Sequence, residues 1–193
     1  MKKSKVEAAE SRRRIVKAAA REFRRNGIHA TGLTDLMAAA GMTHGGFYRH
    51  FDSKDQVVAE ACAGATASVV EVMEAAASKP NRKGGFETIV EAYLSTDHRD
   101  NRSGGCPLVG LGSELARADR QTRAEVSAEF LKLVDVIAKQ IRRRSSEVAK
   151  ADALFALSAM IGAVTMSRIV TDPELSAAIL RETKRHIAKV TKV

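Results

Sequence analysis

A chain of 193 residues with 45% apolar content is long enough for one or two domains with a substantial core. Its 13 glycines and 3 prolines are few for an all-β or disordered protein, and alanine and arginine are the commonest residues, with glutamate and lysine also frequent, so composition points to an all-helical fold. The formal net charge of +9 is uneven: residues 1–56 hold twelve Lys/Arg against six Asp/Glu, whereas the other 137 hold twenty against seventeen, which suits a phosphate-binding N-terminal surface. For Lys2, Lys3 and Lys5 alone, a solvated basic arm kept for solubility is the alternative reading.

From about Ala9 to Asn26, Ile15, Val16, Ala19 and Phe23 form one apolar face, and Arg12, Arg13, Arg14, Lys17, Arg21, Arg24 and Arg25 cover much of the rest. Gly27 ends this first helix. Thr31 is placed to cap a short second helix whose Leu33, Leu36, Met37 and Ala40 share a face, and Gly41 ends it by taking a left-handed conformation. Thr43 then caps a third helix running to about His50. Phe47 and Phe51 supply its buried side, leaving His44, Gly45, Tyr48 and Arg49 to point elsewhere. Two helices joined by so tight a turn are the arrangement that enters a DNA major groove, and the first helix completes a three-helix domain by packing Ile15, Ala19 and Phe23 on Leu36, Phe47 and Phe51.

Asp52 and Ser53 cap a fourth helix, Lys54 to Ser78, and Pro80-Asn81-Arg82-Lys83-Gly84-Gly85 is a turn cluster. Phe86, Ile89, Val90, Tyr93 and Leu94 mark a fifth helix. Thr96 to Gly105 reads as an exposed loop, and Pro107 opens a sixth helix ending near Arg117. The seventh, about Arg120 to Arg144, closes on Arg142-Arg143-Arg144, as cations near a helix C-terminus should. The eighth, about Glu147 to Val170, is apolar nearly all round between Ala153 and Met166, so it must be covered on several sides. Asp172 and Pro173 start a ninth, with Leu175, Ala178, Ile179, Ile187 and Val190 as its stripe. Two such helices exceed what one small bundle needs and suggest an interface between two copies of the chain.

The run Thr31, Asp35-Leu36, Ala40-Gly41, Gly45, Phe47-Tyr48, His50-Phe51 and Lys54 resembles the N-terminal DNA-binding domain of TetR-family transcriptional regulators. The resemblance implies a helix-turn-helix domain over residues 1–56 and a helical ligand-binding and dimerisation domain over 57–193, about nine helices in all. It assigns DNA contact to Thr31, Thr43, His44, Gly45, Gly46, Tyr48, Arg49, His50 and Lys54, the lysine toward a phosphate. Gly46 departs from the family, which mostly carries a polar side chain there; base reading then falls on Thr43, His44 and Arg49. The resemblance also implies a homodimer on the last two helices, for which Ala159, Gly162, Ala163 and Ile179 are candidates. It implies a small-molecule pocket too, with Phe86, Tyr93, Phe130, Met160 and Met166 as candidate lining.

No Gly-rich phosphate loop, His-Glu-x-x-His or Cys-x-x-Cys is present, so neither cofactor nor metal is expected. Two cysteines, Cys62 and Cys106, make no disulfide framework. Cys106 precedes Pro107 at a helix start near His98, Arg99 and Arg102, a setting that favours a thiolate and suits either a sensor or a small packing residue. No apolar run follows the basic N-terminus as an export signal would, and the nearly uncharged stretch Ala153–Ser167 is too short to span a bilayer, so a cytoplasmic protein without membrane contact is expected. The functional expectation is a dimeric repressor, bound to an inverted-repeat operator in double-stranded DNA and released by an unidentified small molecule or electrophile. The alternative is a helical enzyme or redox protein that binds nucleic acid incidentally.

Overall fold

The computed structural model describes residues 5–78, 84–142 and 145–190, with the side chain of Val190 left aside. Expectations for Lys2, Lys3, the turn at residues 79–83, and Arg143-Arg144 lie outside the described residues. Within them, all regular structure is helical: α1 (Lys5–Asn26), α2 (Leu33–Ala39), a 3₁₀ helix (His44–Arg49), α3 (Lys54–Ala77), α4 (Gly85–Tyr93), α5 (Thr96–Asp100), α6 (Pro107–Leu115), α7 (Arg120–Gln140), α8 (Ser146–Ile169) and α9 (Pro173–Val190). The all-helical expectation therefore holds.

Two compact units divide the chain. The first combines the described residues up to Thr66 with Cys106–Ser127, and its core joins Ile15, Ala19 and Phe23 of α1 to Leu36, Met37, Phe47 and Phe51, as the spacing predicts. Val57, Val58 and Cys62 of α3 extend that core, and so do Leu111 and Leu115 of α6. α1 stops where expected, with Gly27 at φ 92 and its N–H donating to Phe23 O at 2.7 Å. Gly41, at φ 68, ends α2 through Gly41 N–H to Ala38 O (2.9 Å) and Met42 N–H to Met37 O (2.9 Å), the paired bonds of a glycine-terminated helix.

Two capping expectations need correction. Gly32, not Thr31, occupies the cap of α2, because the Thr31 hydroxyl donates instead to Gly27 O at 2.6 Å and the residue is only 2% exposed. Thr43 does precede the third helix, but its side chain makes no cap bond. That helix is also 3₁₀ rather than α: Gly45-Gly46 lowers helical stability by about 1 kcal/mol per glycine, and six residues tolerate the tighter winding. At α3 the expectation holds, since Ser53 Oγ accepts from Gln56 N–H (3.1 Å) while Gln56 Oε1 accepts from Asp52 N–H (2.9 Å).

In the second unit, Ala67–Gly105 and Ala128–Val193, α8 packs along α9 and against α5. Residues 96–105 read as loop in the sequence, yet they contain α5, capped by Ser95 Oγ accepting from His98 N–H at 3.1 Å. A single turn of polar residues leaves no apolar period to read. α8 buries Ala153, Ala156, Leu157, Met160, Ala163 and Val164, while Leu154, Phe155, Met166 and Ile169 stay 42%, 51%, 47% and 64% exposed. By length and composition alone α3 and α8, 24 residues each, could cross a bilayer, longer than the Ala153–Ser167 stretch suggests; both bury a face in the packed units, as long core helices do.

Candidate nucleic-acid interface

Phe47 anchors the 3₁₀ helix. It is fully buried, stacks on Phe51 with ring centroids 5.6 Å apart, and meets Tyr48 edge-on at 5.2 Å. With that one side chain pinned, the short helix turns Thr43, His44, Gly45, Tyr48 and Arg49 outward; Tyr48 is 66% exposed, and Gly46 and His50 are half-buried at the edge. The structure thus brings these seven together on one surface and leaves Thr31 beneath it.

Several basic groups counted toward a phosphate-binding face also act as struts between helices. The Arg12 guanidinium lies 4.1 Å over the Phe51 ring and donates to His50 O and to Glu60 Oε1, tying α1 to the end of the 3₁₀ helix and to α3. Arg14 donates to Ala40 O at 2.7 Å, satisfying a carbonyl at the C-terminus of α2. Arg24 is held down in pKa by burial, partly opposed by the thiols of Cys106 and Cys62. Exposed charge is supplied by Arg13, Arg14, Lys17, Arg21, Arg25 and Arg49.

Lys54, at the start of α3, donates from Nζ to Ile28 O at 2.7 Å. An ammonium has three donors, so this bond fixes its position and leaves two directions for an anion. The same loop is gripped from the other side by Glu114 of α6, whose carboxylate accepts from Ile28 N–H (3.1 Å) and His29 N–H (2.9 Å) and lies 2.8 Å from His29 Nδ1. Burial pushes the Glu114 carboxyl up, but the bonds from His29 and Ile28 outweigh it and hold the pKa below 4.5. Neither Arg12 nor Glu114 is legible as a site residue in the sequence; 86 positions separate Glu114 from Ile28 and no local pattern links them.

The glycine pair is not forced by packing. A Cβ at Gly45 would meet nothing within 4 Å, and one at Gly46 would make ordinary contact with Met37 Cε at 3.6 Å. Gly45→Ala is therefore expected to stabilise the protein by about 0.4–1 kcal/mol, and to weaken DNA binding if the bare backbone is what lets the DNA come close. Thermal unfolding and a DNA titration read the two effects; a lower melting temperature would show that glycine is needed for the backbone itself.

The remaining candidates are dispersed. Cys106 is 2% exposed at the start of α6, in the first unit, with the Arg24 guanidinium near enough to interact with it. Its fellow thiol Cys62 is pushed up to about 12 by burial, with Arg24 pulling down and Glu114 pushing up. His98, in the second unit, packs its ring on Tyr93 at 4.4 Å with Nδ1 2.7 Å from Tyr93 O; burial lowers its pKa, the Tyr93 bond raises it and Arg168 lowers it again. Met160 and Tyr93 are buried and Phe130 is half-buried. Phe86 lines a cavity of about 390 Å³ with Val90, Ile141, Ala188, Glu91 and Lys184. Ala159, Gly162 and Ile179 are half-buried and Ala163 is buried; Gly162 opens outward, as a Cβ there meets nothing within 4 Å. Among the described residues no three His, Cys, Asp or Glu side chains are placed to hold a metal.

Comparison with known proteins agrees with this geometry. The family described as "Bacterial regulatory proteins, tetR family" matches residues 15–61, the three-helix segment and the start of α3. The HTH-type transcriptional repressor BepR of Brucella suis is 30% identical over 172 residues, covering 84% of this chain and 82% of that protein. The HTH-type transcriptional regulator TtgR of Pseudomonas putida is 40% identical over 58 residues, 30% of this chain and 28% of its own. A TetR transcriptional regulator from Chloroflexus aurantiacus superposes with a TM-score of 0.74 at 27% identity, covering 95% and 94% of the two chains. Escherichia coli NemR in its reduced form shares the fold, with a TM-score of 0.76 at 15% identity over 93% and 96%. An outward surface pinned by Phe47, matched in sequence within its own segment and by one relative across most of the length, identifies the chain as a member of the TetR family of DNA-binding transcriptional regulators.

Proposed function

We propose that the protein is a dimeric repressor which binds an inverted-repeat operator and is released from it by a small molecule. The observation that carries the DNA-binding part is the row Thr43, His44, Gly45, Tyr48 and Arg49, exposed on a turn whose buried anchor is Phe47. His44, Thr43 and Arg49 read base edges, Lys54 and the exposed arginines of α1 neutralise phosphates, and Thr31 acts from below by holding Gly27 O. Two-fold pairing is supported by the apolar row on α8, from Phe155 past Ala159 and Gly162 to Met166 and Ile169, which a monomer leaves in water. BepR, named a repressor, supports the sign of regulation.

The effector is a reversible ligand of partly apolar character, for which the cavity at Phe86 and Val90 has room. A covalent signal at Cys106 is the less supported version, since its thiol is buried; loss of release in Cys106→Ser would reverse that order. The reading places the protein in the cytoplasm beside its DNA. It is tested by selecting bound sites from random duplexes with wild type and His44→Ala. Wild type should enrich an inverted repeat, and His44→Ala should change the preferred bases by a discrimination of about 1–3 kcal/mol per pair. No enrichment by wild type would sink the function, and an unchanged preference in the variant would remove His44 as a reader.

A further inference from the structure

The second unit contains a polar cavity of about 230 Å³ where α5, the last turn of α8 and the first turns of α9 meet. Three guanidinium groups line it, Arg99, Arg102 and Arg168, against a single carboxylate, Asp100. Like charges gathered round one hollow repel each other, and the arrangement stands because Arg168 and Arg99 are both braced. Arg168 donates from Nε to Arg99 O at 2.8 Å and from Nη2 to His98 O at 2.9 Å. Arg99 grips Asp100 with Nε and Nη2 at 2.8 and 3.0 Å and reaches Ser176 Oγ at 3.1 Å with Nη1. The serine is fixed in turn, 5% exposed and donating to Ser167 O at 2.7 Å. Arg102 completes the ring from an exposed position.

We propose that this cavity is a binding site for a small multivalent anion with bidentate oxygens, a phosphate or a short dicarboxylate. The Arg102 guanidinium can take such oxygens two at a time, the Nη hydrogens of Arg99 and Arg168 outside the bracing bonds add single bonds, and side chains already locked by hydrogen bonds lose little freedom when the anion arrives. The volume equals roughly eight water molecules in the liquid, enough for an anion of about five to eight non-hydrogen atoms. Asp100 stands in for it on one side only: its carboxylate holds Arg99, and Arg99, Arg168 and Arg102 together keep it ionised below its ordinary range. Three cations against one anion leave the hollow short of negative charge. The site stands whether or not an effector releases the protein from DNA.

Isothermal titration of the full chain near neutral pH, with phosphate, sulfate and succinate in separate arms over a constant chloride background, tests it. Saturable binding of at least one of them is expected, phosphate and sulfate together marking an oxyanion site and succinate alone a dicarboxylate site. Arg102→Ala, which disturbs none of the bracing bonds, should weaken binding about fivefold or more. Asp100→Asn should strengthen it, since the competing internal carboxylate is neutralised, whereas a purely structural cluster would weaken when Arg99 loses its partner. No saturable binding by wild type, or equal affinity in Arg102→Ala, overturns the proposal. Uniform loss of DNA affinity in Arg102→Ala, without any small-anion binding, would assign the cluster to DNA phosphates and overturn it equally.

Discussion

Phe155→Arg is expected to turn a dimer into a monomer and to lower operator affinity by about 10²- to 10⁴-fold, the gain that a second tethered binding event ordinarily supplies. Phe155 is 51% exposed, so the substitution leaves the monomer's own core untouched. In the proposed two-fold pairing the same patch of each copy would face the other, so one substitution would place a pair of guanidinium groups in an apolar seam. Sedimentation at micromolar concentration, paired with an operator titration, reads both effects. A variant that sediments and binds like wild type would exclude this face as the interface.

Glu114→Ala should cost about 2–4 kcal/mol, or roughly 5–15 °C in melting temperature, since hydrogen bonds to a charged acceptor contribute about 1.5–3 kcal/mol each and neighbouring ones do not add fully. The loss carries a pH signature. Glu114 is held below 4.5 in the folded chain, so its contribution is complete above that value and disappears as pH falls through the folded pKa, where the carboxyl takes up its proton. Wild type and Glu114→Ala should therefore converge in stability on acidification, with Glu114→Gln in between at neutral pH because its amide oxygen still accepts from one N–H. Melting curves recorded from neutral to acid pH check this; a constant gap between wild type and Glu114→Ala would mean that the carboxylate contributes by packing alone.

Local periodicity carried much of the fold. Ile15, Ala19, Phe23, Leu36, Phe47 and Phe51 lie in one core because helical spacing leaves them no other common face, and Gly27 and Gly41 stop their helices with the backbone only glycine takes readily. What stayed hidden depends on direction rather than residue type. Arg12 looks like a phosphate ligand in the sequence, but a cation aimed at a carbonyl and one aimed at solvent have the same letter. Thr31 looks like a cap, yet the carbonyl of Gly27 is nearer its hydroxyl. Arg99 and Arg102 read as loop residues beside Cys106; their meeting with Arg168 requires α8 to arrive from 66 positions downstream of Arg102. The outward surface from Thr43 to Arg49 was legible because a tight turn and one aromatic anchor define it locally.

The grip of α6 on the loop after α1 has a consequence in time. Leu111, Leu115 and Glu114 belong to the same packed unit as the N-terminal helices, so that unit lacks part of its core and its clamp while only its first 66 residues have been synthesised. At about 5–20 residues per second, the further sixty or so residues to Ser127 take roughly 3–12 s on the ribosome. For that interval the N-terminal helices lack the apolar side chains of Leu111 and Leu115 and the carboxylate of Glu114 that complete their packing. The order of the sequence thereby postpones the complete packing of the first unit until the chain has grown to Ser127.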